Sequence, residues 1–234
     1  MNKNFLVLAC SVFSAHAAVI VDTADRGYYY SYDFHDDTNK NYLTGQLTVN
    51  VGGVDIVNDY HSYFAFPALS GLGGPVTAAT LYLFNPIAGY ASPNSSETLV
   101  IDSYTGTLST LESGGTNSGQ YAALAAGTTF GSVSVDATSD DAYVVIPLNA
   151  AAIAFLNSNG GSPFAFGGYL SGTPFADQQS HYEFGASNFI SPTDGNSYLS
   201  LTVGTTAATP EPGTVALALI GLAGMGLRFW RCRR

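Results

Sequence analysis

The densest group of side chains that could do chemistry is the acidic segment Asp33 to Asp37. Its sequence, Asp-Phe-His-Asp-Asp, places three carboxylates and one imidazole within five residues. These groups could supply oxygen ligands to Ca²⁺, which takes about six to eight of them, although the longer Asp/Asn/Gly spacing of a dedicated calcium loop is missing. Two interpretations stay open: a calcium site, or a solvated acidic turn between Tyr32 and Tyr42.

Three tyrosines at alternating positions form the second candidate site. Tyr28, Tyr30 and Tyr32 would lie on one face of a strand, because successive side chains of a strand point to opposite faces. Tyrosine rings can contact the apolar C–H faces of sugars while their hydroxyls form hydrogen bonds. The spacing indicates a possible carbohydrate-binding face, and ordinary strand packing is the alternative.

No spacing in the chain predicts a catalytic or metal centre. The histidines of the middle region lack the HxH or HxxxH spacing that would force them to converge on zinc. No Gly-x-Ser-x-Gly motif is present, and the glutamates lie singly in stretches typical of a loop or a strand edge. We therefore expect a protein that is not an enzyme and has no required cofactor. The histidines are His35, His61 and His181, and the glutamates are Glu97, Glu112 and Glu183.

The charges exclude one class of partner. Of the 17 acids only Glu211 lies near the C-terminus, which leaves 16 acids against Arg26 and Lys40 in the middle region, a net charge near −14. Such a surface repels phosphate backbones, so we expect no nucleic-acid binding. Both cysteines, Cys10 and Cys232, lie in the terminal segments, so the middle region holds no disulfide.

The elements that must position these residues are short strands. Stretches with period-two alternation recur between Gly, Pro, Asn and Ser clusters, which is typical of an all-β, antiparallel β-sandwich with a jelly-roll or Greek-key-like order. One or two strands are expected within 19–32. The other predicted strands are 47–51, 60–66, 77–84, 99–104, 131–135, 142–148, 164–170, 181–184 and 198–203.

Helix signals are few in the middle region. Asn149 is predicted to cap a helix from Ala150 to Leu156 that stops near Gly160. Ser118 is predicted to cap a second short helix from Gln120 to Ala126. The sandwich should therefore contain one or two short helices.

The N-terminus has the three parts of a secretory signal. Lys3 supplies a positive charge, Phe5 to Phe13 is apolar, and Ala15-His16-Ala17 is a cleavage site with small residues. A signal helix over 1–17, removed by signal peptidase, is expected. A lipid-modified Cys10 and a buried N-terminal strand are the alternatives.

The C-terminus holds a second signal that places the middle region outside the cytoplasm. After the linker 205–209 comes Pro210-Glu211-Pro212, whose prolines lack N–H groups and keep the motif extended. The apolar run 214–227 would form a helix about 21 Å long, enough to cross a membrane marginally. Basic residues next to a span stay in the cytoplasm, so the middle region lies outside. These residues are Arg228, Arg231, Arg233 and Arg234.

This tail, Thr209 to Arg234, resembles the PEP-CTERM sorting signal of Gram-negative bacteria. The resemblance implies recognition of Pro210-Glu211-Pro212 by a membrane exosortase, with the arginines as the flank of the membrane anchor. It implies transient anchoring in the inner membrane, then a place at the cell surface, at the outer membrane or in the extracellular matrix. A plain tail anchor is the alternative.

A second resemblance concerns the strands. The pair 63–69 and 76–84, and the later pair 144–150 and 164–168, are similar to strands of extracellular DNRLRE-type β-sandwich modules. The Arg-rich signature of that module is absent, so the resemblance implies the fold of 33–203 and no binding residue.

The sequence thus divides into a signal peptide (1–17), a sandwich (18–204), a linker (205–209) and a sorting tail (210–234). The expected function is that of an exported, non-enzymatic protein of the surface or exopolysaccharide matrix. A carbohydrate-binding module that contacts extracellular polysaccharide is the alternative.

Overall fold

The computed structural model describes residues 18–185 and 197–204. The predicted signal peptide, the transmembrane helix 214–227, the sorting motif and the arginine cluster lie outside the described residues. Within the described ranges, no helix has both the length and the apolar character needed to cross a membrane.

Thirteen strands form the described part of the chain, and every pairing between them is antiparallel. Their bounds are β1 Ala18–Asp22, β2 Asp25–Tyr30, β3 Phe34–His35, β4 Thr44–Val51, β5 Val54–Phe66, β6 Val76–Asn85, β7 Glu97–Ser103, β8 Gly115–Thr116, β9 Thr129–Val135, β10 Ala142–Pro147, β11 Phe164–Leu170, β12 His181–Glu183 and β13 Tyr198–Val203. The predicted antiparallel all-β architecture is confirmed.

Two main sheets face each other. The smaller sheet has the order β1-β13-β6-β10, and the larger has the order β12-β4-β5-β11-β7-β9, with β2 also paired to β5. Neighbours such as β13 and β6 are far apart in the chain, because the polypeptide crosses between the sheets as a Greek-key-like order requires. A two-stranded ribbon, β3 with β8, completes the described strands.

The main core fills the space between the sheets. Leu81 and Leu83 of β6 point inward from the smaller sheet, and Phe64 and Phe166 do so from the larger one. All four are fully buried. Because strand side chains alternate, these inward residues leave their neighbours on the outer faces of the two sheets.

Two glycine positions are dictated by geometry. The loop between β4 and β5 is Gly52-Gly53, with φ of +62° and +86°, as a two-residue hairpin turn of the I′ type requires. Gly167 on β11 lies so close to the Leu124 carbonyl that an added Cβ would sit 1.9 Å from its oxygen. Segment 104–128 therefore packs directly on the outer face of the larger sheet.

That covering segment builds a second core. Leu111 of α1 (Leu108–Leu111) and Leu124, which caps α2 (Gln120–Ala123), pack against Tyr29 and Tyr63 on the outward side of the larger sheet. The Tyr29 hydroxyl donates to the carbonyl of Leu111 at 2.9 Å. The outer face of the larger sheet is therefore partly buried under the chain's own helices and the β3–β8 ribbon.

The helix predictions have two outcomes. Asn149 caps α3 (Ala150–Asn159) as predicted, because its Oδ1 accepts hydrogen bonds from the N–H groups of Ala151 and Ala152. The Ser118 cap was wrong. The N-cap residue of α2 is Gly119, with φ of +82°. Because glycine has no side chain, the N-cap residue itself makes no side-chain hydrogen bond to the first turn of the helix.

Candidate functional site

The alternating tyrosines gather a ring cluster at one end of the larger sheet. Strand β2 pairs with β5 so that Tyr30 lies opposite Tyr60. The Tyr28 and Tyr60 rings meet edge to face at 5.2 Å, and Tyr30 contacts Tyr60 at 4.8 Å. We call the following residues the tyrosine cluster: Tyr28, Tyr30, Tyr32, Phe34 and Tyr60.

The cluster changes from buried to exposed along the chain. Tyr28 is buried, Tyr30 is half-buried, and Tyr32 is 58% exposed. Tyr32 lies beyond the end of β2, where a turn brings the Asp33 N–H to the Tyr30 carbonyl. Its ring nevertheless stacks on Tyr30, with centroids 4.9 Å apart and an interplanar angle of 19°. The structure therefore keeps the three tyrosines together, although the strand holds only two of them.

The hydroxyls of Tyr28 and Tyr60 remain neutral at physiological pH. Burial raises the pKa of Tyr28 and of Tyr60 well above the ordinary value, and neighbouring tyrosines raise both further. The Asn39 amide donates to the Tyr28 hydroxyl at 3.1 Å. Tyr32 thus presents an aromatic ring on an uncharged, internally bonded support. This arrangement can stack against an apolar ring.

The acidic segment spreads its carboxylates apart. Asp33, with φ of +64°, accepts hydrogen bonds from the N–H groups of Gly119 and Tyr121 at 2.8 and 2.9 Å. Asp36 accepts from the N–H and hydroxyl of Thr38 within its own turn. Asp33 therefore ties the covering segment to β2, and its oxygens are already engaged by backbone N–H groups.

The three histidines of the middle region do not converge. His35 lies between the Tyr28 carbonyl and the Tyr63 hydroxyl, whereas the His61 Nδ1 contacts the Tyr121 carbonyl at 2.7 Å. Burial lowers the pKa of His61 to about 4, and that of His35 also falls. Within residues 18–185 and 197–204, no set of three His, Cys, Asp or Glu side chains is placed to hold a metal ion.

His181 occupies a buried polar site, of which the sequence indicated only an unspecific polar contact with Asp177. Its Nδ1 lies 2.9 Å from Glu97 Oε1, and its Nε2 lies 2.9 Å from Asp177 Oδ1. The Phe175 ring stacks on the imidazole at 3.9 Å. The histidine is buried between two carboxylates and joins β12, β7 and the loop between β11 and β12.

Ser92 adds a hydroxyl to this group, which then contains the residue types of a hydrolytic triad but not the hydrogen bonds of one. The hydroxyl donates to Glu97 Oε1 at 2.6 Å, although it also lies 3.0 Å from His181 Nδ1. Its oxygen accepts from the N–H of Asn94. A nucleophilic serine needs a base that accepts its proton and a free path to substrate. The group instead fastens two strands and a loop.

Two of the glutamates expected in loops or at strand edges lie at the ends of strands, but their burial was not predicted. Glu97 begins β7 and Glu183 ends β12, and both are buried. Burial raises the pKa of Glu97, but hydrogen bonds from Ser92, His181 and Asn94 hold it below its ordinary value. Burial, with nearby acids, raises the pKa of Glu183 to about 8. No spacing along the chain announces these tertiary contacts.

Comparison with known proteins decides the nature of the C-terminal tail. Residues 208–234 match the family described as the PEP-CTERM protein-sorting motif. The chain carries a PEP-CTERM sorting signal. This motif implies that the protein is exported and sorted to the cell surface by an exosortase. A search of curated proteins finds no match to the chain. The resemblance of the sandwich to DNRLRE-type modules stays a prediction.

Proposed function

We propose that the chain is a non-enzymatic structural or adhesive protein of the cell surface or exopolysaccharide matrix of a Gram-negative bacterium. The observation that carries the proposal is the PEP-CTERM motif at 208–234, which follows directly on a strand-rich unit ending at Gly204. The neutral tyrosine cluster and the engaged Ser92 hydroxyl support a binding or structural role. Processing would remove the signal peptide and the tail, so the sandwich alone would remain outside.

The sorting step can be tested by intact-mass spectrometry of the exported protein. We expect the mature form to lack residues 1–17 and the residues beyond Pro210-Glu211-Pro212. Replacing these three motif residues by alanine should leave the tail in place and hold the protein at the membrane. The matched control replaces Ala207 and Ala208 by serine and should be processed normally. An exported form that still ends at Arg234 would support a plain tail anchor instead.

A second function, binding of a neutral polysaccharide, is favoured by one observation. Tyr32 is 58% exposed and is held from one side by the Tyr30 ring, so the rest of its aromatic surface is available to a sugar ring. The surrounding charge is negative, which disfavours acidic polysaccharides. The alternative role is therefore a carbohydrate-binding module with Tyr32 as the outermost contact.

Affinity electrophoresis in gels that contain neutral polysaccharides tests this second function. We expect Tyr32→Ala to lose most of the retardation, because the stacking ring is removed, while Tyr32→Phe keeps it. Tyr143→Ala is the matched control, since Tyr143 is an exposed tyrosine on the other sheet. If the unchanged protein migrates alike with and without every polysaccharide, the structural role stands alone.

A further inference from the structure

The smaller sheet leaves its outer face open to solvent. Ile20 is 55% exposed, Val145 is 42% exposed and Tyr143 is 38% exposed, and they extend from edge strand β1 to edge strand β10. Between them lie the half-buried rings of Tyr82 and Tyr198. We call the outward-facing side of β1, β13, β6 and β10 the open face.

The rings on the open face form an ordered layer. Tyr82 and Tyr198 sit opposite each other in register and stack with centroids 4.7 Å apart at an angle of 11°. Tyr143 meets both rings edge to face, at 6.1 and 5.5 Å. Stacked and edge-to-face tyrosine rings are also how aromatic side chains pack at protein interfaces, where tyrosine is enriched.

The open face is also nearly free of charge. Among the outward-facing residues of its four strands, Asp22 is the only ionisable group apart from the tyrosine hydroxyls. The middle region as a whole carries 16 acids against two bases. Two copies of the chain therefore repel each other through most of their surfaces, and the repulsion is weakest where the open faces meet.

We propose that the open face is the docking site for a second copy of this chain, with the two faces packed against each other. Flat sheet faces stack about 10 Å apart, and a twofold axis brings the same patch of both copies together. The exposed aliphatic side chains Ile20 and Val145 have no groups that could form hydrogen bonds with a sugar. They can be buried against the open face of a second copy, which removes apolar surface from water.

The size of the face sets the expected strength. The four strands are spaced about 4.8 Å apart, and the roughly five to six residues over which they lie side by side give a face of roughly 400 Å² per copy. The two copies together would bury roughly 800 Å² or somewhat more, below the 1,200–2,000 Å² of a stable complex. We therefore expect a weak dimer that forms at the high local concentrations of a protein gathered at a surface.

Analytical ultracentrifugation of the mature exported protein tests this inference. We expect the average mass to rise towards that of a dimer between low micromolar and about millimolar protein, and to rise further when salt screens the acids. Val145→Glu and Ile20→Glu, on opposite edge strands, should each weaken association about tenfold or more, because each adds two facing charges per dimer. Circular dichroism checks that the variants are folded.

Val54→Glu is the matched control. Val54 is 65% exposed near the β4–β5 turn, far along the larger sheet from the open face, so the same substitution should leave association unchanged. A monomer at every concentration, or an equal loss in Val54→Glu, would overturn the inference. So would retention on a neutral polysaccharide that Val145→Glu abolishes while the protein stays monomeric. None of these outcomes affects the sorting signal, which is tested separately by mass spectrometry.

Discussion

The outer faces of the two sheets differ in whether another segment of the chain packs on them. The larger sheet is partly covered by segment 104–128, whose Leu111 and Leu124 are fully buried against Tyr63. The smaller sheet keeps Ile20 and Val145 exposed. Both faces are rich in tyrosine, so composition does not separate them. The difference lies in whether the chain supplies its own cover, and it suggests that one face contributes to stability while the other is free for contact with another molecule.

The largest expected effect comes from removing the cover's anchor. Leu124→Ala should lower the free energy of unfolding by about 3 kcal/mol, because it deletes a fully buried side chain and leaves a cavity over Gly167. The change is measured by urea unfolding, monitored by far-UV circular dichroism. A loss below about 1 kcal/mol would mean that the covering segment contributes little and that the two faces are energetically alike.

The second effect is the contribution of His61, on the covered face, to the pH dependence of stability. His61 stacks on Tyr121 at 3.8 Å with Tyr169 beside it, and burial lowers its pKa to about 4, whereas the unfolded chain binds the proton near pH 6.5. Between those values the unfolded state holds more protons on this histidine, so the contribution of His61 to stability falls by about 2–3 kcal/mol as pH is lowered from about 6.5 to 4. The raised pKa of Glu183 contributes in the opposite direction.

His61→Phe keeps a ring against Tyr121 and removes this titration, so the slope of its unfolding free energy against pH should be less positive than that of the unchanged protein over the same pH range. Urea midpoints at half-unit pH steps give the slopes. Asp22→Asn on the open face is the control, because an exposed carboxylate there should leave the slope of the unchanged protein intact. Equal slopes for the His61 variant and the unchanged protein would contradict the assignment.

A smaller effect is expected at Asp33, whose hydrogen bonds connect the covering segment 104–128 to the end of β2. Asp33→Asn keeps a side chain that tolerates φ of +64° but weakens the two hydrogen bonds to Gly119 and Tyr121, at a cost of about 1 kcal/mol. Hydrogen exchange should speed up for the amides of α2. The comparison variant Asp36→Asn, whose contacts stay within its own turn, should leave α2 unchanged.

The smallest effect belongs to the open face. Val145→Ala should change the free energy of unfolding by less than about 0.5 kcal/mol in dilute solution, since the side chain is exposed on an edge strand. The same thermal or urea unfolding used for Leu124→Ala provides the measurement. A loss as large as that of Leu124→Ala would show that the open face is a structural surface and would remove the contrast between the sheets.

Local sequence determined several parts of this protein. Period-two alternation placed strand 198–203 at the bounds observed, because burial of one sheet face imposes that pattern on the strand. The bounds of strand 164–170 were also predicted, although nearly all of its residues are buried. Asn149 announced α3 for an equally local reason, since a cap bonds N–H groups two or three residues away. The tail motif is a linear signal and was readable for the same reason.

Only the tertiary structure decided which side chains meet across the chain. The cap of α2 comes from Asp33, 86 residues before Gly119, and His181 bonds Glu97 across 84 residues. Likewise, alternation predicted that Tyr28, Tyr30 and Tyr32 share a face, yet a turn and a ring stack keep Tyr32 with the others after the strand has ended. Alternation states which residues point away from a core, but whether another segment then covers them depends on contacts between distant parts of the chain.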